Sequence, residues 1–393
     1  MGFSRLPWRF SLALLAIAAG GCELLLATGD TQCTTDADCA AKGGAGFACI
    51  NSVCRASAST TDGSAGDSSP GDAATGPWTC LDNLPSVVPE DNSRPVTIRS
   101  HFLTYSLDDC QQNAPVPGMQ VQLCSIRDPS CSSPIETEYT NCSGDVILTA
   151  AYVGFQGYLL LAPPTTSAVD AGTDGGDGGD GGGGGGPPLW PTTVVDCFRA
   201  LEASQAAADA GSSRCAVHVD DAGVASAVGD PNGPLPTDLM PSLSMLSPPP
   251  TKSDDLDAAV NEIASPHIFS RTTITGLLLL VDKPLSPTAG HVFGIAEDCN
   301  DDPAAGVIVS VTGGLGPDSL VYYTDTSGGV SVTQGSTSSR GETGYVNLEP
   351  GVTGINTVSV TATLKDTNQT IGQYTALIRT GYITLLAMTP LKN

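Results

Sequence analysis

Thirteen cysteines carry most of the potential chemistry in this 393-residue sequence. Four of them form a C-x5-C-x9-C-x4-C pattern in one short stretch: Cys33, Cys39, Cys49 and Cys54. A segment this short cannot bury a core of its own, so cross-links must stabilise it. The pattern predicts a disulfide-rich module at 33–54 with two disulfides, for which three pairings are open. A zinc site of four thiolates is the alternative, although the C-x-x-C pairs typical of structural zinc are absent.

The other cysteines are best interpreted as structural cross-links. Thirteen is an odd number, and setting Cys22 aside leaves twelve that can all pair. No C-x-x-C occurs, so a redox-active pair is not indicated. The remaining disulfide candidates are Cys80, Cys110, Cys124, Cys131, Cys142, Cys197, Cys215 and Cys299.

One acidic loop has the donor types that calcium prefers. Hard oxygen ligands crowd it, and they are Glu297, Asp298, Asn300, Asp301 and Asp302. A solvated turn made of turn-forming residues explains the same composition without a metal. Both interpretations stay open, and no cofactor is predicted.

The sequence contains no recognisable catalytic motif. Its four histidines, His101, His218, His267 and His291, form no H-E-x-x-H, and neither G-x-S-x-G nor a phosphate-binding G-x-x-x-x-G-K-[ST] occurs. His218 and His291 fall in predicted strands, where outward-facing positions are the simplest assignment. A net charge of −25 also argues against nucleic acid as a partner. We therefore predict a non-enzyme.

The N-terminus has the features of an export signal. Arg5 and Arg9 precede the apolar run from Phe10 to Ala19, which is too short to span a bilayer permanently. The sequence Ala19-Gly20-Gly21-Cys22 resembles a bacterial lipobox. That resemblance implies a signal peptide at 1–21, a lipid on Cys22 and a place in a bacterial cell envelope, at the outer membrane or cell surface. Cleavage after Ala18, giving a soluble secreted protein, is the alternative.

Two stretches have the composition of flexible spacers. The linker at 55–77 is rich in Ser, Thr, Asp, Gly and Ala, which indicates disorder. The spacer at 167–189 is dominated by Gly and Asp and contains six consecutive glycines. Neither stretch can bury a core.

An internal repeat occupies the rest of the chain. Each copy has an Asp-Cys pair, a Pro- and Gly-containing turn leading into an alternating strand, and a small-residue-Gly turn before another strand. The first copy comprises Asp109-Cys110, Pro115–Val121 and Ser143–Leu148, and the second Asp298-Cys299, Pro303–Val309 and Thr343–Leu348.

Alternation in the second copy predicts antiparallel strands. Val307, Val309 and Val311 share one face of a strand, and the run 358–364 alternates with period two. A turn at 366–369 and strands at 371–377 and 382–388 follow. This pattern predicts β-sandwich domains of about 100 residues each.

The repeat resembles the carboxypeptidase regulatory-like, or transthyretin-like (prealbumin), β-sandwich. The P-x-x-G-V-x-V strand opening at Pro303–Val309 and the turn at Thr343-Gly344 carry this resemblance, with looser matches at Pro117-Gly118 and Ser143-Gly144-Asp145. The resemblance implies two antiparallel sandwiches, at 78–283 and 288–393. It also implies accessory or adhesive modules without catalytic residues.

The region 190–283 is expected to complete the first sandwich. Val194, Cys197, Phe198 and Leu201 have helical spacing, and a second helix is predicted after Ser253. Between these helices, 215–219 and 224–228 are predicted to form a hairpin.

The predicted function is non-catalytic binding or scaffolding by a lipid-anchored envelope protein whose partner is a surface protein or glycan. The alternative is an accessory carbohydrate- or protein-recognition module that serves a separate hydrolase, and a hydrolase using the acidic loop is a third class. An aromatic-lined pocket would favour recognition, and adjacent carboxylates in a cleft would favour catalysis.

Overall fold

The structure is a computed structural model, and it describes fourteen ranges of the chain. These are 47–50, 53–56, 77–84, 88–106, 111–166, 190–207, 217–220, 225–227, 234–247, 249–250, 267–279, 281, 283–326 and 329–391. The predicted signal peptide, Cys22, nearly all of both spacers and the predicted helix after Ser253 lie outside these ranges.

The chain divides into two compact units, and the first contributes one hairpin to the described residues. Its strands β1 (Phe47–Ile50) and β2 (Val53–Ala56) pair antiparallel. The register places Cys49 opposite Cys54. Cys33 and Cys39 lie outside the described residues, so the predicted module at 33–54 stays a prediction.

The second unit comprises Pro77–Asp325 and Val330–Asn393 and is mainly β. Its N-terminal half, after a 3-10 helix at Thr79–Asn83, contains six strands: β3 (Asp91–His101), β4 (Leu103–Tyr105), β5 (Gln120–Ser125), β6 (Glu136–Tyr139), β7 (Asp145–Val153) and β8 (Gly157–Ala162). The middle region contains α1 (Thr192–Ala207), β9 (Val217–Val219), β10 (Ala225–Ala227), β11 (Ser242–Met245), β12 (His267–Phe269) and α2 (Arg271–Leu279).

The C-terminal half of this unit contains eight strands. They are β13 (Gly290–Ala296), β14 (Val307–Thr312), β15 (Leu320–Thr324), β16 (Val330–Ser331), β17 (Glu342–Leu348), β18 (Ile355–Leu364), β19 (Thr370–Arg379) and β20 (Ile383–Met388). The burial of Val307, Val309 and Val311 and the alternate burial along β18 confirm the period-two predictions. The predicted turn at 366–369 and the two returning strands are confirmed as well.

One nine-stranded sheet runs through both halves of the second unit. Its order is β16-β15-β17-β13-β20-β11-β8-β5-β6, in which β20 pairs parallel with both β13 and β11 and every other pair is antiparallel. The halves therefore share a sheet through the β11–β20 contact, whereas two separate sandwiches were predicted. Strand β11, residues 242–245, connects the two halves because it pairs with β8 on one edge and with β20 on the other.

Two smaller sheets pack on opposite faces of the long sheet. The pair β3–β7 shares a core with Leu123 and Leu159 of the N-terminal half. The sheet β14-β18-β19 shares a second core with Val292 of β13 and Leu386 of β20. Burial of apolar side chains between these layers, at roughly 25 cal/mol per Å2, is the main stabilising contribution.

Two of the elements predicted from sequence for the middle region are present in the structure. The helix predicted from Val194, Cys197, Phe198 and Leu201 is α1, and the predicted hairpin is β9–β10. Both elements supply buried residues to the core of the N-terminal half, as expected. Helix α2 was not predicted, because its sequence, rich in Thr and Leu with a Gly, has no clear helical period.

Backbone hydrogen bonds establish how the two repeat copies correspond. Phe102 N donates to Gly144 O (2.9 Å), and Ala296 N donates likewise to Gly341 O (2.8 Å). Gly144 and Gly341 have φ of +82° and +66°, and at either one a Cβ would lie 2.4 Å from the carbonyl oxygen of Phe102 or Ala296 respectively. The turn glycine of the second copy is therefore Gly341 and not Gly344, which was wrongly assigned because Gly344 lies inside β17.

A buried threonine repeats with the same bonds in both copies. The Thr140 hydroxyl accepts from Met119 N (2.9 Å) and donates to Val116 O (2.6 Å). In the second copy the Thr337 hydroxyl accepts from Val307 N (2.9 Å) and donates to Ala304 O (2.6 Å). These bonds hold the turn against the strand that follows it, β5 in one copy and β14 in the other.

We expect Thr337→Val to lower the free energy of unfolding by about 1–3 kcal/mol, because it leaves a buried N–H and a buried C=O without this partner. Thr140→Val is expected to do the same in the N-terminal half. Urea unfolding measures both effects. The control is Thr375→Val at an exposed position of β19, which is expected to change little. An equally small effect of Thr337→Val would contradict the role assigned to the hydroxyl.

Candidate functional site

A pocket lies between helix α2 and the C-terminal half of the long sheet. Its lining side chains come from β4, β12, α2, β13, β15, β16 and β17. About 450 Å3 of space lies between them, including the part open to solvent. We call it the α2 pocket, defined by Tyr105, Phe269, Ile274, Leu277, Leu278, Phe293, Tyr322, Thr324, Val330, Glu342 and Val346.

Three aromatic rings in contact form one wall of the α2 pocket. The ring centroids of Tyr105 and Phe269 are 4.9 Å apart, as are those of Phe269 and Phe293. Phe269 is fully buried, and the other two rings are partly exposed. Tilted rings at this spacing attract one another beyond the burial of their area, which makes the wall rigid.

Helix α2 also lines the pocket, and two side chains cap its N-terminus. Ser270 Oγ accepts a hydrogen bond from Thr273 N (3.0 Å), and Asp238 Oδ2 accepts one from Thr272 N (2.8 Å). Such N-terminal caps are worth about 1 kcal/mol each. They compensate for the low helix propensity of the Thr and Gly residues in α2. The helix thereby presents Leu277 and Leu278 to the pocket.

Gly344 leaves room for the ring of Tyr322, which lines the α2 pocket. It lies between Phe293 on β13 and Tyr322 on β15, since it pairs directly with both. A Cβ at this position would lie 2.7 Å from the Tyr322 hydroxyl and 2.1 Å from Val292 O. Glycine is therefore required for the Tyr322 ring to lie across β17.

The negative charge of Glu342 in the pocket lining is neutralised by an ion pair. Glu342 forms a two-bond ion pair with Arg340, with Nη2 to Oε1 at 2.8 Å and Nε to Oε2 at 3.2 Å. Burial raises the pKa of both Tyr105 and Tyr322, and the negative charge of Glu342 adds to each shift. Burial lowers the pKa of the adjacent His267. At neutral pH the phenols are therefore hydroxyl donors and the imidazole is uncharged.

Six of the predicted disulfide candidates, all in the second unit, are paired with one another. Three bonds link Cys80 to Cys299, Cys124 to Cys131, and Cys142 to Cys197. The repeat copies do not share a pattern, because Thr312 is the counterpart of Cys124. Cys22, Cys33, Cys39, Cys110 and Cys215 lie outside the described residues.

The acidic loop behaves as a structural turn. Asp298 Oδ1 accepts hydrogen bonds from Asn300 N (2.8 Å) and Asp302 N (3.1 Å), so part of its acceptor capacity is used within the loop. Glu297 is buried, and burial raises its pKa to about 7, with Asp301, Asp298 and Asp302 adding to the shift. Within the described ranges, no group of three or more His, Cys, Asp or Glu side chains is arranged to hold a metal ion. The calcium hypothesis gains no support from this geometry.

The histidines do not form a shared site. His218 is exposed on β9, as predicted, with Nδ1 at 2.8 Å from Glu202 Oε1. The outward assignment of His291 was wrong, because its side chain is buried and accepts a hydrogen bond from Asn347 N (3.2 Å) through Nδ1. Burial lowers the pKa of His291 to about 4. His101 lies beside Asp145 at the surface, far in sequence from the other three.

Sequence reasoning missed the α2 pocket altogether. Its walls come from both repeat copies and from α2, so no local pattern joins them. The available signals were Phe269, followed by the capping residue Ser270, and a glycine within a strand at Gly344.

Comparison with protein-family models, with curated proteins and with solved structures finds no match for this chain. Among the described helices, neither is long and apolar enough to cross a membrane.

Proposed function

We propose that this protein is a non-catalytic binding protein of the bacterial cell envelope, anchored through a lipid on Cys22, with the α2 pocket as its ligand site. The observation that carries the binding role is a pocket lined by the contacting rings of Tyr105, Phe269 and Phe293 together with a capped helix. Concave apolar sites with a few converging polar groups are typical of small-molecule binding.

The pocket fits a small apolar ligand better than a carbohydrate. A sugar presents a hydroxyl on almost every carbon, and each buried hydroxyl needs a partner. Only four of the eleven lining side chains carry polar groups, and they are Tyr105, Tyr322, Thr324 and Glu342. The only carboxylate of the lining, that of Glu342, is held by Arg340, which leaves no carboxylate pair for hydrolysis.

The two-sandwich arrangement of the carboxypeptidase regulatory-like family is part of this proposal. Its support is the correspondence of pairings, in which β3–β7 and β5–β8 of one copy match β13–β17 and β14–β18 of the other. On this view a duplicated sandwich was joined edge to edge by β11, and the pocket arose beside the join.

The binding role is tested by thermal unfolding with a panel of aromatic, aliphatic and carbohydrate compounds. The protein for this test is the chain from residue 22 with Cys22→Ala, which needs no detergent that could fill the pocket. A compound at about 100 times its Kd stabilises the folded state by about 2.7 kcal/mol, so at least one class should raise the unfolding temperature by several degrees.

Leu277→Trp fills the pocket from α2 and should abolish that shift. Leu315→Trp makes the same change at an exposed position, where Leu315 is 55% exposed, and should leave the shift intact. A panel without any stabilising compound, or an equal shift in Leu277→Trp, would contradict the proposed site.

The lipid anchor makes a separate prediction. We expect Cys22→Ala to abolish incorporation of an alkyne-labelled fatty acid in a bacterial host and to move the protein out of the membrane fraction, because a thioether-linked lipid requires the thiol. Cys33→Ala is the matched control and should still be labelled. Labelling that persists in Cys22→Ala would rule out this anchor.

A further inference from the structure

Two phenols, those of Tyr105 and Tyr322, line the α2 pocket. Both lie near Glu342, whose negative charge adds to the raised pKa of each phenol. Neither hydroxyl makes a hydrogen bond to another described residue. Buried or half-buried tyrosine hydroxyls normally find a partner, so these two are available donors for a bound molecule.

We propose that the α2 pocket binds an uncharged molecule with a flat apolar body and a single hydrogen-bond acceptor, which the hydroxyls of Tyr105 and Tyr322 recognise. The proposal rests on the binding function proposed above and defines the chemical class of its ligand.

The apolar side chains that line the pocket favour a ligand with an apolar body. The partly exposed Phe293 offers ring surface, and the partly exposed Leu277 offers aliphatic surface. A flat ring system contacts both surfaces at once and gains offset or edge-to-face contacts with the aromatic one. The space of about 450 Å3 includes the part open to solvent, so part of the ligand is expected to stay exposed.

The electrostatics of the pocket exclude a charged ligand. Arg340 neutralises Glu342 through both of its bonds, so the pocket lining holds no unpaired charge that could attract an ion. An ion entering this space would lose its hydration without gaining a counter-charge, which is costly. The phenols instead donate O–H groups, which an ether, carbonyl or hydroxyl oxygen can accept.

The test uses three naphthalenes of nearly equal shape. They are 2-acetylnaphthalene, 2-isopropenylnaphthalene, which lacks the carbonyl acceptor, and 2-naphthoate, which carries a charge. Calorimetric titration of the chain from residue 22 with Cys22→Ala is expected to rank them in that order. Loss of the acceptor should weaken binding about three- to tenfold, and the charge should weaken it by more than tenfold.

Two tyrosine variants test whether the phenol hydroxyls recognise the hydrogen-bond acceptor of the ligand. The double variant Tyr105→Phe, Tyr322→Phe keeps both rings, so it should bind 2-isopropenylnaphthalene with unchanged affinity while losing the preference for 2-acetylnaphthalene. Tyr139→Phe removes a hydroxyl from a tyrosine that is 60% exposed on β6 and should bind all three compounds as the parent does.

The possible failures separate this proposal from the binding function. Equal affinities for the acetyl and isopropenyl compounds, or tighter binding of 2-naphthoate, would overturn the ligand class while Leu277→Trp still blocks binding. If no naphthalene binds although another compound raises the unfolding temperature, the class is also wrong and the binding function stands. No binding and no thermal shift would overturn both.

Discussion

Replacing both Cys80 and Cys299 with Ser is expected to lower the free energy of unfolding more than removing either of the other described disulfides. The bond joins residues 219 apart in sequence, whereas Cys124–Cys131 and Cys142–Cys197 close loops of 7 and 55. In the chain-entropy model the stabilisation grows with the logarithm of loop length, from about 2.5 kcal/mol for the shortest loop to about 5 kcal/mol for the longest.

The Cys80–Cys299 bond also holds the start of the second unit. Leu81 is buried in the core formed with the β14-β18-β19 sheet, and Trp78 packs against that core. Pro77 O accepts a hydrogen bond from Cys299 N (2.9 Å). The second unit therefore begins beside a cross-link, and removing the bond should release 77–84.

Urea unfolding of the double variants under oxidising conditions measures this prediction. Removing both cysteines of a pair leaves no free thiol to form new bonds, so the comparison is matched. Proteolysis around 77–84 should increase only in the Cys80→Ser, Cys299→Ser variant. A loss of stability no larger than that of Cys124→Ser, Cys131→Ser would contradict the expected order.

Glu297→Gln is expected to stabilise the protein at alkaline pH. The carboxyl group is buried beside three aspartates, and its pKa is raised from 4.5 to about 7. Because the folded-state pKa is above the unfolded one, the stability associated with the protonated form is complete below about pH 4.5. It is lost as the pH rises to about 7. The whole interval corresponds to about 2–3 kcal/mol.

Glutamine keeps the shape of the protonated acid and cannot ionise. The variant should therefore match the parent in stability near pH 4.5 and exceed it at pH 8. Urea unfolding at pH 4.5, 6 and 8 measures the difference. The control is Glu138→Gln on β6, where the side chain is exposed, and it should show no comparable trend. A difference between Glu297→Gln and the parent that does not vary with pH would disprove the buried charge as its cause.

Local patterns in the sequence determined the elements of this protein. Alternation of valines with polar residues identified β14 and β18, and helical spacing from Val194 identified α1. These predictions succeeded because a strand or helix that buries one face leaves its period in the sequence. The cysteine content correctly indicated the cross-links seen at six of the eight described cysteines.

Long-range pairing was decided only by the tertiary structure. The parallel contacts of β20 with β11 and β13 join segments far apart in the chain, and no local pattern encodes which edges meet. The misassigned turn glycine has the same cause, since Gly341 and Gly344 differ in φ and not in sequence context.

The α2 pocket is formed only by tertiary packing. The lining combines three separate parts of the chain, represented by Tyr105, Phe269 and Tyr322. The local sequence around each of them indicates only an ordinary core residue. The sequence by itself therefore determined a mainly β protein with structural disulfides. Packing of α2 against the shared sheet decided where the pocket forms, because a pocket depends on the gaps between elements and not on the elements themselves.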